Sequence, residues 1–253
     1  MPADEASEDA VLGGRLVLRQ PLRGHRVGHD AILLAAATSA QSGDHAVDLG
    51  SGVGGAGLAL ARRIEGLNVT LVEIDPALTA LAAGNAERNG LSDRVRAVRL
   101  DVESSAADFI AAGLAPGSAA CVLMNPPFNV VQQPSPDRAR RTAHAASDQT
   151  LRRWLRTAAR LLHAGGIVTL IWRADGLADV LAALDKDFGA ITVLPVHPKP
   201  GAAAIRMLVR ATKGNRAPLA LLPGFLLANA DGKPTAAAEA VLRAAEALSL
   251  TGN

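Results

Sequence analysis

Short apolar runs alternate with longer stretches of helical periodicity along most of the chain. Residues 45–49, 68–74, 94–101, 119–124 and 167–172 are rich in Val, Leu and Ala and bounded by Gly, Pro, Asn or Asp, the pattern of buried strands. The segments 55–65, 76–89, 104–113, 148–163 and 175–187 space their apolar residues three and four apart, which predicts helices. Strands that alternate with helices imply a parallel sheet covered on both faces. Two further strands, 191–196 and 203–211, are joined through His197-Pro198-Lys199-Pro200-Gly201 as an antiparallel pair. The expected fold is α/β: a Rossmann-like, mostly parallel seven-stranded sheet with helices on both faces and an antiparallel last strand.

The ends read differently. Asp4, Glu5, Glu8 and Asp9 crowd the start of the chain, so residues 1–12 are expected to form a disordered acidic tail before a single domain at 13–253. That domain begins with a hairpin around Arg15 to Arg26, then a helix for which Asp30 is the expected N-cap. Gly165-Gly166 reads as a helix stop. The Ala-rich run Pro234 to Leu248 predicts a helix packed on the body, inside a C-terminal helical extension of about 215–250. Asn129 to Ser147 is polar, too long for a plain connector, and placed where a substrate would lie.

Candidate chemistry begins where the strand at 119–124 runs into Asn125-Pro126-Pro127-Phe128. Two adjacent prolines remove two backbone donors and fix two φ angles, so the strand must end in a stiff, extended lip. The asparagine amide oxygen, the carbonyls of the lip and the flat phenylalanine face together form a slot for a planar group bearing an NH2. Alone, the tetrapeptide reads equally well as an ordinary strand exit. Upstream, however, Asp48-Leu49-Gly50-Ser51-Gly52-Val53-Gly54 joins an apolar strand to a helix, the nucleotide-binding turn of doubly wound α/β proteins. The following strand ends in Glu73, an acid placed to grip two ribose hydroxyls. A third ends in Asp101-Val102, an amine acceptor and an apolar wall for an adenine ring. Asp48 stands two residues before the first glycine, where it would repel the pyrophosphate of a dinucleotide. S-adenosyl-L-methionine has no phosphate and carries a cationic sulfonium and an amino group, so the acidic lead-in favours it over NAD.

Composition adds limits. The chain of 253 residues is long enough to bury a sizeable core as one domain. Net charge is +2, and beyond the acidic start 26 basic residues face 20 acidic ones, a mild bias that allows a nucleic-acid partner without requiring one. With no tyrosine and 2% aromatic residues, recognition beyond a single base is expected to rest on shape and phosphates. The single cysteine, Cys121, excludes a disulfide framework and reads as a small core residue. No run approaches the ~18 apolar residues of a membrane span and the start lacks an apolar leader, so no membrane partner and a cytoplasmic location are expected. The histidines lack zinc-like spacing, so no metal is expected; His29 stands apart only by position.

These stretches, with Arg26-Val27-Gly28-His29-Asp30-Ala31-Ile32-Leu33-Leu34, Val72-Glu73-Ile74-Asp75 and Pro136-Asp137-Arg138-Ala139-Arg140, resemble the class I methyltransferases with an Asn-Pro-Pro-aromatic motif. Within that class the likeness, over residues 15 to 210, is greatest to the bacterial tRNA(Val) adenine-N6 methyltransferases. His29 stands where that family often has threonine, and Phe128 where it has tyrosine or phenylalanine. The resemblance implies methyl transfer to an adenine amine in RNA, with tRNA as the expected partner. Asn125 and Pro126 would accept the amine hydrogens on the lip that Pro127 stiffens, and Phe128 would stack on the base. Gly50, Gly52 and Gly54 would pass under the methionine part of the cofactor, with Gly28 to Asp30 closing over it. Glu73 would hold the ribose, and Asp101 and Val102 would frame the adenine. Arg138, Arg140 and Arg141 are expected in a loop that contacts substrate phosphate, whereas Arg152, Arg153, Arg156 and Arg160 recur at helical spacing as a solvated face. Two other readings stay open. The same slot suits another NH2, guanine N2 in rRNA or a protein glutamine, although those relatives carry a substrate domain in front. A non-catalytic cofactor- or RNA-binding module is disfavoured by the intact Asn125 to Phe128.

Overall fold

The computed structural model describes residues 6–23, 26–127, 138–184 and 186–250, with side chains over the same residues except 138–148. Two antiparallel strands come first, β1 (Ala6–Val11) and β2 (Leu16–Pro21), joined by a 3-10 turn at Leu12–Gly14. Next come α1 (His29–Ala37), β3 (His45–Leu49), α2 (Gly55–Arg63), β4 (Asn68–Glu73), α3 (Pro76–Arg88), β5 (Val95–Arg99), α4 (Ala106–Ala111) and β6 (Ala119–Met124). They are followed by α5 (Arg138–Leu161), β7 (Leu162–Arg173), α6 (Leu177–Leu184), β8 (Phe188–His197) and β9 (Arg206–Lys213). Two short strands, β10 (Ala220–Leu221) and β11 (Phe225–Leu226), and α7 (Ala236–Ala244) lie beyond them.

The main sheet runs β10-β8-β9-β7-β6-β3-β4-β5, with β11 also beside β8. Strands β3 to β7 are mutually parallel, and β9 is antiparallel to both β7 and β8. The expected seven strands and antiparallel last strand are present; β10 and β11, two residues each, extend the edge and are too short to leave a periodic signal. Alternate residues of the strands feed two cores, one per face. Ala46 packs with the α1, α2, α3 and α7 side, while Val47 and Leu49 pack with the α4, α5 and α6 side. α7 seats Ala238 and Val241 in the first of these cores, as expected for the C-terminal helix, but the extension expected to be helical also contains β10 and β11, and its helix is confined to Ala236–Ala244. No helix of the described residues is long and apolar enough to cross a membrane.

Four local expectations are corrected. Gly165-Gly166 do not stop the preceding helix: α5 ends at Leu161 and both glycines lie inside β7. Residues 6–11, assigned to a disordered tail, form β1 and move the hairpin toward the amino terminus. Their acids are paired: Asp9 meets Arg26 at 2.6 Å and also accepts from Ser7 and Gln20, and Glu8 meets Arg88 at 3.1 Å. Charge counted along the chain reads as solvation; these partners are distant in sequence. Asp30 does not cap α1; Gly28 occupies the N-cap and Asp30 lies in the first turn, its carboxylate on Arg206. The helix expected from 148 begins at Arg138, because 138–147 is polar yet rich in the good helix formers Ala and Arg.

The sheet order reverses at β3, with β4 and β5 on one side and β6 and β7 on the other. Such a switch point leaves a crevice at the carboxyl ends of the strands. Leu49 pairs with Met124 in the β3–β6 register, so Gly50 and Asn125 leave the sheet side by side at that crevice.

Candidate active site

The glycine turn is built by its own backbone. Gly50, Gly52 and Gly54 have φ of +69°, +57° and +89°, the left-handed region where a Cβ is penalised. At Gly50 a Cβ would also overlap Trp154, reaching 2.8 Å from its Cζ3. The donors of the turn are consumed internally: Gly50 and Ser51 donate to Val72 O, Gly54 to Ser51 O and Gly52 to Glu73 Oε2 at 2.8 Å. Gly57, in the first turn of α2, donates to Asp48 Oδ2 at 2.8 Å. A turn with these N–H groups already paired is not a phosphate cradle, which agrees with the acidic lead-in.

Asp48 is buried, and its carboxyl pKa is raised to about 7, chiefly by burial; the Gly57 N–H opposes that shift and the nearby Glu73 charge adds to it. Glu73 is held at both oxygens, accepting from Gly52 and, at 2.9 Å, from the Asp75 backbone. Its carboxylate is thereby fixed at the end of β4 with lone pairs remaining.

A cavity of about 640 Å³ opens at the switch point, within the size range of small-ligand sites. Asp30, Asp48, Gly50, Gly52, Glu73, Asp101, Val102, Asn125, Pro126 and Pro127 all line it. Sequence elements 30 to 127 thus converge on one wall-to-wall site. Gly28 and Gly54 are not among the lining residues: Gly28 starts α1, and Gly54 starts α2 against Leu58 and Leu71. Phe128 lies outside the described residues. Arg138, Arg140 and Arg141 fall in the backbone of α5 rather than in a loop, and their side chains also lie outside the description. Of the arginines assigned to a solvated face, Arg153 pairs with Glu103 at 2.7 Å, Arg160 stacks on Phe109 at 4.8 Å, and Arg152 bonds Ala182 O.

The cavity has walls that sequence reasoning missed. Val27 and Leu34, Ile74 and Leu78 supply apolar surface, Trp154 closes one side, and Arg206 brings a guanidinium. Trp154 is one of two tryptophans in the chain and packs on Gly50, but nothing local links the two. Two buried polar atoms on the cavity wall have no hydrogen-bond partner, Ser51 Oγ and Asn125 Oδ1. Such orphans are uncommon in folded proteins and fit a cavity that takes a polar ligand.

A seven-strand core with an antiparallel last strand and this cavity at its switch point defines a class I methyltransferase, whose cofactor is S-adenosylmethionine. The chain belongs to the methyltransferase small domain family, whose sequence model matches residues 25–199. It is 32% identical over 193 residues to the tRNA1(Val) (adenine(37)-N6)-methyltransferase of Bacteroides thetaiotaomicron, covering 75% of this chain and 78% of that one. Among solved structures it is similar to a predicted O-methyltransferase, protein Atu636 of Agrobacterium tumefaciens, at 30% identity and a TM-score of 0.74, covering 87% of this chain and 98% of that one. TrmN from Thermus thermophilus shares the fold at 21% identity and a TM-score of 0.53, over 73% of this chain and 48% of that one.

Proposed function

We propose that this enzyme transfers a methyl group from S-adenosylmethionine to the exocyclic N6 amine of an adenine in tRNA. The observation that carries the reading is Asn125, a cavity-lining residue beside the glycine turn whose buried Oδ1 has no partner. An unmade hydrogen bond of this kind costs about 1–3 kcal/mol, which a ligand NH2 would remove. An adenine amine is a poor nucleophile because its lone pair is delocalised into the ring. Asn125 Oδ1 and the Pro126 carbonyl take its two hydrogens and favour a more tetrahedral nitrogen, while Pro127 keeps the lip stiff. A hydroxyl has one hydrogen and would leave one of these oxygens unpaired, so the slot favours an amine over the O-methylation named for the Agrobacterium tumefaciens relative. The Bacteroides thetaiotaomicron relative, named for adenine 37 of tRNA1(Val), supports adenine and tRNA as acceptor.

The cofactor supplies a methyl group on a good leaving group, so holding the amine in line with it provides much of the rate. Glu73 accepts from the ribose hydroxyls, and Asp101 and Val102 frame the cofactor adenine. Gly50 and Gly52 underlie the methionine part, Asp48 lies beneath the same end, and Asp30 closes over it. Phe128 stacks on the extruded base, worth about 1–3 kcal/mol. Arg138, Arg140 and Arg141 contact substrate phosphates, for which arginine is suited.

The test incubates the protein with methyl-labelled S-adenosylmethionine and separate pools of tRNA, rRNA and protein, then identifies the product by mass spectrometry. N6-methyladenosine in tRNA is expected. Label in N2-methylguanosine or in glutamine would replace the acceptor, and an unlabelled tRNA pool would refute the tRNA reading.

A further inference from the structure

The cavity wall is electrostatically lopsided. Asp30, Asp48, Glu73 and Asp101 line it, and Arg206 is the one basic residue that does so among the described residues. S-adenosylmethionine brings two cationic centres, the sulfonium and the ammonium, and one anionic centre, the methionine carboxylate. The cations find acids on every side. The carboxylate needs hydrogen-bond donors, and the glycine turn has few to offer, since the N–H groups of Gly50, Ser51, Gly52, Gly54 and Gly57 are engaged within the protein.

Arg206 opens β9, and its Nε donates to Asp30 Oδ2 at 2.8 Å across 176 residues of chain. Its Nη1 donates to Ile205 O at 3.0 Å. These bonds fix the plane of the guanidinium on the cavity wall, each side chain of the pair being 28% exposed.

We propose that Arg206 is the residue that recognises the methionine carboxylate of the cofactor, with Asp30 positioning its guanidinium. This rests on the S-adenosylmethionine reading of the cavity. Arg206 thereby discriminates intact adenosyl amino acids from adenosyl compounds that have lost the carboxylate, and it orients the amino-acid arm on the α1 side of the pocket.

Calorimetric binding of two probes tests it: S-adenosylhomocysteine, and its decarboxylated analogue, which keeps the adenosyl and amine parts. The Arg206→Met enzyme is expected to lose about 10- to 100-fold in affinity for S-adenosylhomocysteine, while the decarboxylated analogue binds at least as tightly as it does to the wild type. Retained binding of the analogue also reports an intact fold. Arg206→Met combined with Asp30→Asn should keep the loss, because the lost attraction belongs to the arginine. Recovery in that double variant would mean that Arg206 only screens Asp30, and would overturn the proposal. Equal losses for both probes, or none for S-adenosylhomocysteine, would overturn it as well. A wild-type enzyme that binds neither probe would instead sink the cofactor reading itself.

Discussion

Gly50→Ala provides a direct trial of how the site is built. The residue sits at φ +69°, where a side chain costs about 1–2 kcal/mol. Its new Cβ would also overlap the Trp154 ring, and forced overpacking adds about 1–3 kcal/mol. The expected loss is therefore about 2–5 kcal/mol of unfolding free energy. Gly52→Ala is the internal control. Its φ of +57° carries the same backbone penalty, but open space surrounds the added methyl. It should lose only about 1–2 kcal/mol, and its damage should instead appear in ligand affinity, since Gly52 lines the cavity. Urea unfolding followed by tryptophan fluorescence suits the pair, because Trp154 and Trp172 are both buried. Replacing Trp154 by Leu in the Gly50→Ala background should return part of the loss, a coupling that contacting residues display. If Gly50→Ala proved no less stable than Gly52→Ala, the packing of Trp154 against the turn would be wrong.

Other outcomes follow from the same geometry. Asn125→Ala should lower methyl transfer by at least about 10²-fold while S-adenosylhomocysteine binding changes little; turnover at the wild-type rate would remove the amide from the chemistry. Asp48 has its carboxyl pKa raised to about 7, so the folded state holds that proton more tightly than the unfolded chain. Its contribution favours folding at low pH and declines as pH rises from the ordinary carboxylate range towards 7, by at most roughly 1.4 kcal/mol per pH unit. Asp48→Asn should flatten that part of the stability profile, and identical slopes in denaturation series would contradict it. Asn85 is fully buried and bonds Arg19 N, Arg19 O and Val53 O, tying the hairpin and α3 to the glycine turn. Asn85→Ala strands these groups and should cost about 2–4 kcal/mol by chemical denaturation; a change below about 0.5 kcal/mol would show that water replaces the amide.

The acidic start of the chain marks where one-dimensional reading fails. Glu8 and Asp9 look like solvated charge until the fold brings Arg88 and Arg26 to them, and only then does the segment become a strand. The arginines at 138, 140 and 141 fail for the opposite reason: polarity suggested a loop, whereas the backbone follows helix propensity. Asp30 lines the cavity, but its local duty differs from the expected helix cap, since its carboxylate serves Arg206 rather than the helix start.

What the chain determined by itself is what short-range chemistry controls. Alternating apolar periodicity specifies the order of strands and helices. Glycines at 50, 52 and 54 permit a turn that other residues resist, and Pro126-Pro127 must end β6 in a lip. Because parallel strands carry their loops to one end of the sheet, these local signals suffice to gather Asp48, Glu73, Asp101 and Asn125 at one crevice. Only the tertiary structure decided which side chains close the crevice and which donors are left for a ligand. Trp154 against Gly50 and Arg206 on Asp30 join residues more than a hundred positions apart. Contacts at that separation depend on how helices settle on both faces of the sheet, a matter of packing and burial that leaves no period in the sequence.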